Sequence, residues 1–391
     1  MIKILTSLNL DLRIHNMEIR VPLSRPDIIE ADIQSVVEVL RSPFLSLGPK
    51  LREFEEAFER YVGRRYAVAV NSGTSGLFLC LKAIGLKPKD EVITTPFTFI
   101  ATVTSIMMTG AVPVFADIDP VTLNLDLREV EKKITRKTKA ILAVDIFGNP
   151  AGMDEVRKLA DAYGLDMIED SCEALGSELK GRKAGTFGRA GVFGFYPNKQ
   201  MTTGEGGMIV TDDEELAQIC ISLRNQGRGR GNGWLAHERL GYNYRLSDIN
   251  CALGLSQLKR IEEFVRKRNA VAQMYLERLA DEKRIVLPSV PKEARMSWFV
   301  FVVRLADRFL PAQRNEVLNR LTERGIQVSN YFPPVYLQPF IAKALKHKEG
   351  DFPVTDRVSS RTVALPFHNN LTEQEVDLVC QELRDVLDAV C

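Results

Sequence analysis

Residues 195–207 read FYPNKQMTTGEGG and place one lysine, Lys199, among turn formers between two apolar runs. A lysine becomes a nucleophile when burial or a nearby cation makes its charged form unfavourable. The flanking runs VFGFY and GMIV would hold this lysine inside the protein. Taken alone, a lysine in a turn is ordinarily a solvated surface residue, so the chemical reading needs partners. Three other stretches offer them. NSGTSG at 71–76, with Gly73, Thr74 and Ser75, stands between a strand-like and a helical run. Backbone N–H groups and hydroxyls at a helix N-terminus suit a phosphate, although a plain N-capping turn also explains it. MIEDSCEA at 167–174 ends an apolar run on Asp170. A buried carboxylate calls for a cation, such as a protonated pyridine nitrogen; a helix N-cap is equally compatible. In TTPFTFIAT (94–102), Phe97 or Phe99 could stack on a flat ring or belong to an ordinary core. Together these make a phosphate cradle, an aromatic platform, an Asp for a pyridinium and a Lys for an aldehyde. Those are the parts that pyridoxal phosphate requires.

The elements that must position them alternate. YAVAV (66–70), DEVITTP (90–96), VPVFADI (112–118), AILAVDIFG (140–148), LDMIED (165–170), AGVFGFYP (190–197) and GGMIVTD (206–212) read as strands, with helical stretches among them. MDEVRKLADAYG (153–164) puts Met153, Val156, Leu159, Ala160 and Tyr163 on one helical face. Apolar strands alternating with helices imply an α/β fold, a mostly parallel central sheet covered by helices on both faces. Ligands of such sheets bind beyond the carboxyl ends of the strands, where the polar motifs lie. Ser247 can cap a long helix running to about Ala280. The remainder mixes strands such as WFVFVVRL (298–305) with helices at 312–324 and 372–388, the pattern of a smaller α+β domain. The expected division is an N-terminal extension at 1–16, a large cofactor-binding domain at 17–255 and a small C-terminal domain at 256–391.

Composition excludes several classes. Lys plus Arg number 52 and Asp plus Glu 51, so no bulk field draws the chain to nucleic acid or to an anionic membrane. No stretch approaches the apolar length of a membrane span, and the N-terminus lacks a signal-peptide pattern. The six cysteines show no C-x-x-C spacing and read as reduced thiols of a cytoplasmic protein. The four histidines, at 15, 237, 347 and 368, have no metal-ligand spacing, so no metal site is expected.

The ordered set NSGTSGL, DEVI-TP-FTF-AT (preceded by Lys89 in place of a glycine), IEDSCEALGS, NKQMTTGEGG and GYNYRLSDINCALGLSQL resembles the DegT/DnrJ/EryC1/StrS sugar aminotransferases, from about residue 19 to 388. The resemblance implies a fold-type-I pyridoxal-phosphate enzyme, perosamine-synthase-like. It moves an amino group, from L-glutamate, to a nucleotide-linked keto sugar, a 4-keto-6-deoxyhexose in the first reading and a 3-keto sugar in the second. A sugar dehydratase, which carries histidine at the lysine position, and a non-catalytic cofactor-binding regulator compete with both. Lys199 then matches the Schiff-base lysine and Asp170 the carboxylate at the ring nitrogen. Gly73, Thr74 and Ser75 match the phosphate turn, Phe99 the stacking aromatic, and Asn243 an asparagine that reaches the phosphate of the neighbouring subunit in a homodimer. Three positions depart from the family pattern. Gly194 replaces a phosphate-binding serine, so that contact is expected to be lost or taken by water. Glu173 stands where glutamine or histidine is common, near the cofactor hydroxyl. Asn330 and Tyr336 replace histidines near the expected sugar pocket. The arginines of RNQGRGRGNGW, Arg224, Arg228 and Arg230, are candidates for the substrate diphosphate, or else belong to a solvated loop.

Overall fold

The computed structural model describes residues 18–229 and 236–390. The expectations for residues 1–16 and Arg230 therefore fall outside the described residues.

Seven strands make the central sheet: β1 (Tyr66–Val70), β2 (Glu91–Thr94), β3 (Val112–Phe115), β4 (Thr138–Val144), β5 (Asp166–Asp170), β8 (Ala190–Gly194) and β9 (Gly207–Thr211). Two short strands, β6 (Glu178–Leu179) and β7 (Arg182–Lys183), lie between β5 and β8 in the chain. The sheet order is β1-β9-β8-β5-β4-β2-β3. β9 runs antiparallel to both its neighbours, and the remaining pairs are parallel. The strands are mostly apolar because both faces are covered, with Glu169 and Asp170 of β5 as buried exceptions. Val68, Val70, Leu142, Ile168, Val192 and Ile209 point to the face closed by α3 (Gly73–Ala83) and α7 (Glu214–Arg224). Their neighbours Ala67, Ala69, Met208 and Val210 turn to the other face, where Phe54 and Phe58 of α2 (Pro49–Val62) meet them. Farther along that face, Ile93, Ile141 and Met167 pack with Met153, Val156 and Ala160 of α6 (Met153–Ala162). Helices α1 (Glu30–Leu40), α4 (Ile100–Met108) and α5 (Leu127–Lys133) complete this part of the chain.

The long helix expected from Ser247 to Ala280 is instead two helices, α8 (Asp248–Leu258) and α9 (Ile261–Arg278). Ser247 caps α8 as anticipated, accepting from the Asn250 N–H at 3.2 Å. At the corner, Gln257 Nε2 donates to Asp32 Oδ2 at 2.7 Å and Arg260 Nη2 to Asp27 Oδ1 at 3.0 Å. This polar network fastens the turn to the start of α1. Past it, β10 (Ile285–Val286), β12 (Phe301–Leu305) and β13 (Thr362–Leu365) form a small antiparallel sheet. Helices α10 (Pro311–Glu323) and α13 (Glu373–Val390) pack on it around Phe301, Val303, Leu321 and Leu383. The strand read at 298–305 starts only at Phe301, because Trp298 takes a left-handed φ of 54°. Val21, expected in the large domain, is buried in this second core and bridges to Ile326. β11 (Ala294–Arg295) pairs with β6, and α11 (Pro339–Leu345) and α12 (Pro353–Ser359) lie between α10 and β13 in the chain.

Candidate active site

The turns that leave the carboxyl ends of β1, β2, β5 and β8 close around one cavity of about 540 Å³. Ser72, Gly73 and Thr74 line it from the β1 turn, Thr98 and Phe99 from the β2 turn, and Asp170, Cys172 and Glu173 from the end of β5. Gly194 ends β8, Tyr196, Asn198 and Lys199 follow it, and Phe299, Tyr331 and Phe332 reach in from the C-terminal part.

The β1 turn is held by its own hydroxyls. Ser72 Oγ caps α3 by accepting from the Ser75 N–H at 3.1 Å. Ser75 does not line the cavity: its hydroxyl donates to Asn71 Oδ1 at 2.7 Å and lies 3.0 Å from Ser72 Oγ. The open part of the turn is therefore Ser72–Thr74. The first N–H groups of a helix have no intrahelical acceptor, which makes this end a seat for an anion.

Asp170 is 6% exposed and ends β5 at the cavity floor. Its Oδ2 accepts from Thr102 Oγ1 at 2.7 Å, and Thr102 is 2.8 Å from the Thr98 hydroxyl. Its Oδ1 accepts from the Cys172 N–H at 3.3 Å. Among the described residues, no cationic side chain pairs with this carboxylate. A protonated ring nitrogen in the cavity would supply the missing charge. Phe97 and Phe99, equivalent in the sequence, separate here. Phe97 is buried against Phe147 and Phe332, whereas Phe99 is 58% exposed on the cavity wall.

Lys199 follows β8 in a tight turn, its N–H donating to the Tyr196 carbonyl at 2.9 Å. Its Nζ lies 3.5 Å from Glu173 Oε1 and 3.8 Å from the centre of the Phe299 ring. The other oxygen of Glu173 accepts from the Phe147 N–H at 2.8 Å. Burial raises the Glu173 carboxyl above its ordinary range, and the lysine opposes that rise. The Cys172 thiol is pushed well above the usual thiol range by burial, so it stays protonated. A side chain on Gly73 would strike Cys172 Sγ at 2.7 Å, and one on Gly194 would meet Cys172 Cβ and Sγ at 3.4 Å. The Cys172 side chain thus lies beside both Gly73 and Gly194, packing the wall where the family's serine would stand.

Asn243 is exposed and does not line the cavity of its own chain. Its segment sits next to the β1 turn all the same, since the Asn71 N–H donates to the Tyr244 carbonyl at 3.0 Å. Arg224 is not available to a substrate. Its guanidinium is buried in an ion pair with Glu55 and donates to the Ala69 carbonyl. Arg228 is half-buried and its segment bridges to His237. Tyr336 is fully buried, its hydroxyl donating to Asp356 Oδ1 at 2.6 Å. From that segment the cavity takes Tyr331 and Phe332 instead, and Tyr331 lies parallel to Phe299 at 6.1 Å. The aromatic pair in a proline-containing loop was the available signal for them.

The residues fit pyridoxal phosphate: a helix N-terminus for the phosphate, an unpaired buried carboxylate for the ring nitrogen, an aromatic wall, and an amine facing the same space. Comparison with known proteins agrees. The model of the DegT/DnrJ/EryC1/StrS aminotransferase family matches residues 26–384. The spore coat polysaccharide biosynthesis protein SpsC of Bacillus subtilis is 38% identical over 376 residues, 94% of this chain and 97% of that protein. The GDP-perosamine synthase of Caulobacter vibrioides is 36% identical over 370 residues, 94% of this chain and 98% of that one. The solved structure of Helicobacter pylori PseC, an aminotransferase involved in the biosynthesis of pseudoaminic acid, matches with a TM-score of 0.90 at 30% identity, covering 94% of this chain and 99% of its own. With family, fold and site in agreement, the chain belongs to the DegT/DnrJ/EryC1/StrS aminotransferases and is a sugar aminotransferase whose cofactor is pyridoxal phosphate.

Proposed function

We propose that this enzyme transfers the amino group of L-glutamate to a nucleotide-linked 4-keto-6-deoxyhexose. The observation that carries the reading is the convergence of Lys199, Asp170, the Ser72–Thr74 turn and Phe99 on one cavity. The likeness to a GDP-perosamine synthase over nearly the whole chain supports the sugar class. Pyridoxal phosphate, when bound, supplies an aldehyde that exchanges amines and a ring that draws electrons from the adjoining carbon. The Ser72–Thr74 turn binds the phosphate, with Gly73 keeping the backbone close. Phe99 would offer an aromatic face to the ring. Asp170 holds a proton on the ring nitrogen, and the Thr102 hydroxyl fixes the carboxylate that does so. Glu173, beside Lys199 Nζ, would meet the cofactor hydroxyl. Lys199 Nζ would hold the cofactor and, when its amine is free, would take the proton from Cα of the amino donor and return one to the sugar carbon.

The working unit in this reading is a cytoplasmic homodimer. Exposed Asn243 would reach the phosphate in the neighbouring subunit, the role that the family resemblance implies for it. We assign residues 17–255 to the cofactor domain and 256–391 to the small domain, with the segment around Val21 docked on the latter. Among the described residues no helix is long and apolar enough to cross a membrane.

The test is a panel of nucleotide-linked 3-keto and 4-keto sugars, incubated with the holoenzyme and L-glutamate. Products are read by mass and by NMR. A 4-amino sugar with one equivalent of 2-oxoglutarate is expected. Amination at C3 alone, or glutamate-independent loss of water from the sugar, would overturn the assignment.

A further inference from the structure

Arg268, on α9, is 2% exposed. Its Nη1 donates to the carbonyls of Trp298 at 2.9 Å and Phe299 at 3.1 Å, and its Nη2 to the carbonyl of Lys199 at 3.1 Å. Its Nε is buried without an acceptor, and among the described residues no carboxylate forms an ion pair with it. The Phe367 ring lies 5.5 Å from the guanidinium. Burial pushes the group down to about 10, with Asp27 the charge that opposes the shift. A cation held in the interior by carbonyls alone is an expensive arrangement. As a packing element, an apolar chain of the same length would serve better.

What the three carbonyls have in common is their place. They belong to the two segments that meet at the Lys199 amine. One is the turn carrying Lys199 itself; the other is the loop carrying Phe299, whose ring centre is 3.8 Å from Nζ. That loop enters with Trp298 at a φ of 54°, a conformation L-residues rarely hold unaided. Gln200 makes a second bridge, donating to the Glu173 carbonyl at 2.6 Å and to Ser297 Oγ at 2.9 Å. The planar fork of an arginine can reach several acceptors at fixed angles, which a lysine ammonium cannot do.

We propose that Arg268 is a positioning residue for Lys199. It locks the lysine's main chain to the Phe299 loop, so that the amine is held over the ring and beside Glu173, facing the cavity. The inference rests on Lys199 being the reactive lysine and adds what aims it. Without the lock the amine ranges over a larger volume, and its attack on an aldehyde slows, because small misplacements of a reacting group are costly.

The test uses cofactor-free protein mixed with pyridoxal 5′-phosphate. In the capture step the lysine nitrogen forms a C=N bond to the aldehyde carbon, and the aldehyde oxygen leaves as water. Its rate is followed by the visible band and by borohydride trapping at timed intervals, with peptide mapping of the label. R268K is expected to capture at Lys199 about ten-fold more slowly or worse, and F299L to slow capture by a smaller factor. Both are assayed well below their melting temperatures, with folding checked by circular dichroism. A merely structural Arg268 would lower the melting temperature and leave the capture rate on folded protein unchanged; that result for R268K overturns the proposal. Should R268K not fold, F299L decides, and capture at the wild-type rate overturns it. A wild-type label on another residue removes the premise about Lys199 itself, a failure distinguishable from a normal rate in the variants.

Discussion

Arg224 and Lys199 are both cations drawn into the interior, and the molecule treats them in opposite ways. Arg224 ends α7 on the outer side of β1, where Glu55 pairs with it and the Ala69 carbonyl accepts from it. The same Glu55 carboxylate also accepts from the Ala69 N–H at 2.8 Å. That region is satisfied, and it anchors α2 and α7 to the edge strand. In the cavity, Lys199 has a carboxylate at 3.5 Å and an aromatic face at 3.8 Å, both looser than a short ion pair. The contrast teaches that a buried charge becomes a reagent when its neighbours hold it without using up its bonding capacity. Asp170 follows the same rule: hydroxyl and N–H donors fix it, and the cation is left for the ligand.

Removing either cation tests the contrast. K199A should lower turnover by at least about 10⁴-fold and leave the melting temperature within a few degrees, measured by steady-state kinetics and calorimetry. R224M should do the reverse. It leaves the half-buried Glu55 carboxylate without its cation, so it should destabilise by up to about 3–5 kcal/mol, while turnover per folded enzyme stays within a factor of three. Adding E55L to R224M should restore part of that loss, since the stranded charge goes with it. If R224M is as stable as wild type but inactive, the roles of the two cations are reversed.

Asp170 sharpens the comparison on the anionic side. D170N keeps the shape, can still accept from the Cys172 N–H and can donate its amide to the Thr102 hydroxyl, but cannot hold a proton on the ring nitrogen. Turnover should fall by about 10²–10³-fold, the scale of losing one preorganised charge. Near-normal turnover would make Asp170 a cap and nothing more.

The smallest effect belongs to Asp145, which lies just past β4. Its Oδ2 accepts from Ser171 Oγ at 2.6 Å and its Oδ1 is buried with no partner. Burial, with Glu169 adding to it, raises this carboxyl well above the ordinary range. The stability contributed by the neutral acid is therefore complete below about pH 4, the unfolded value. It is lost as pH rises through the higher folded value. D145N is neutral throughout. At pH 8 it should be more stable than wild type by roughly 1–3 kcal/mol, and at pH 4 the gap should close, as read by denaturant melts at both pH values. A gap of equal size at both would mean that Asp145 does not titrate with folding.

Much of this architecture is legible in the residues. The apolar strands and the helix at 153–162 follow from periodicity, and the cavity walls fall where the polar turns follow strands. The alternation of Val68 and Val70 with Ala67 and Ala69 carries the two-faced sheet directly. What the sequence hides are partners distant in the chain. Arg224 among glycines looks free until Glu55, 169 residues away, is brought to it. The break between α8 and α9 depends on Asp27 and Asp32, more than 200 residues upstream. Ser75 and Thr74 are indistinguishable as text, and only the hydrogen bond to Asn71 shows which one turns inward. Cys172 leaves no room for a side chain at Gly73, a fit of volumes that no motif encodes.

The central claim is that Lys199, held loosely between Glu173 and Phe299, is the residue that carries the cofactor. Borohydride reduction of the holoenzyme followed by peptide mapping tests it most directly. The account predicts that the yellow colour is lost on reduction and that one pyridoxyl group per chain is found on the peptide containing Lys199. A label on any other lysine, or a holoenzyme with full cofactor from which no covalent label is recovered, would contradict it.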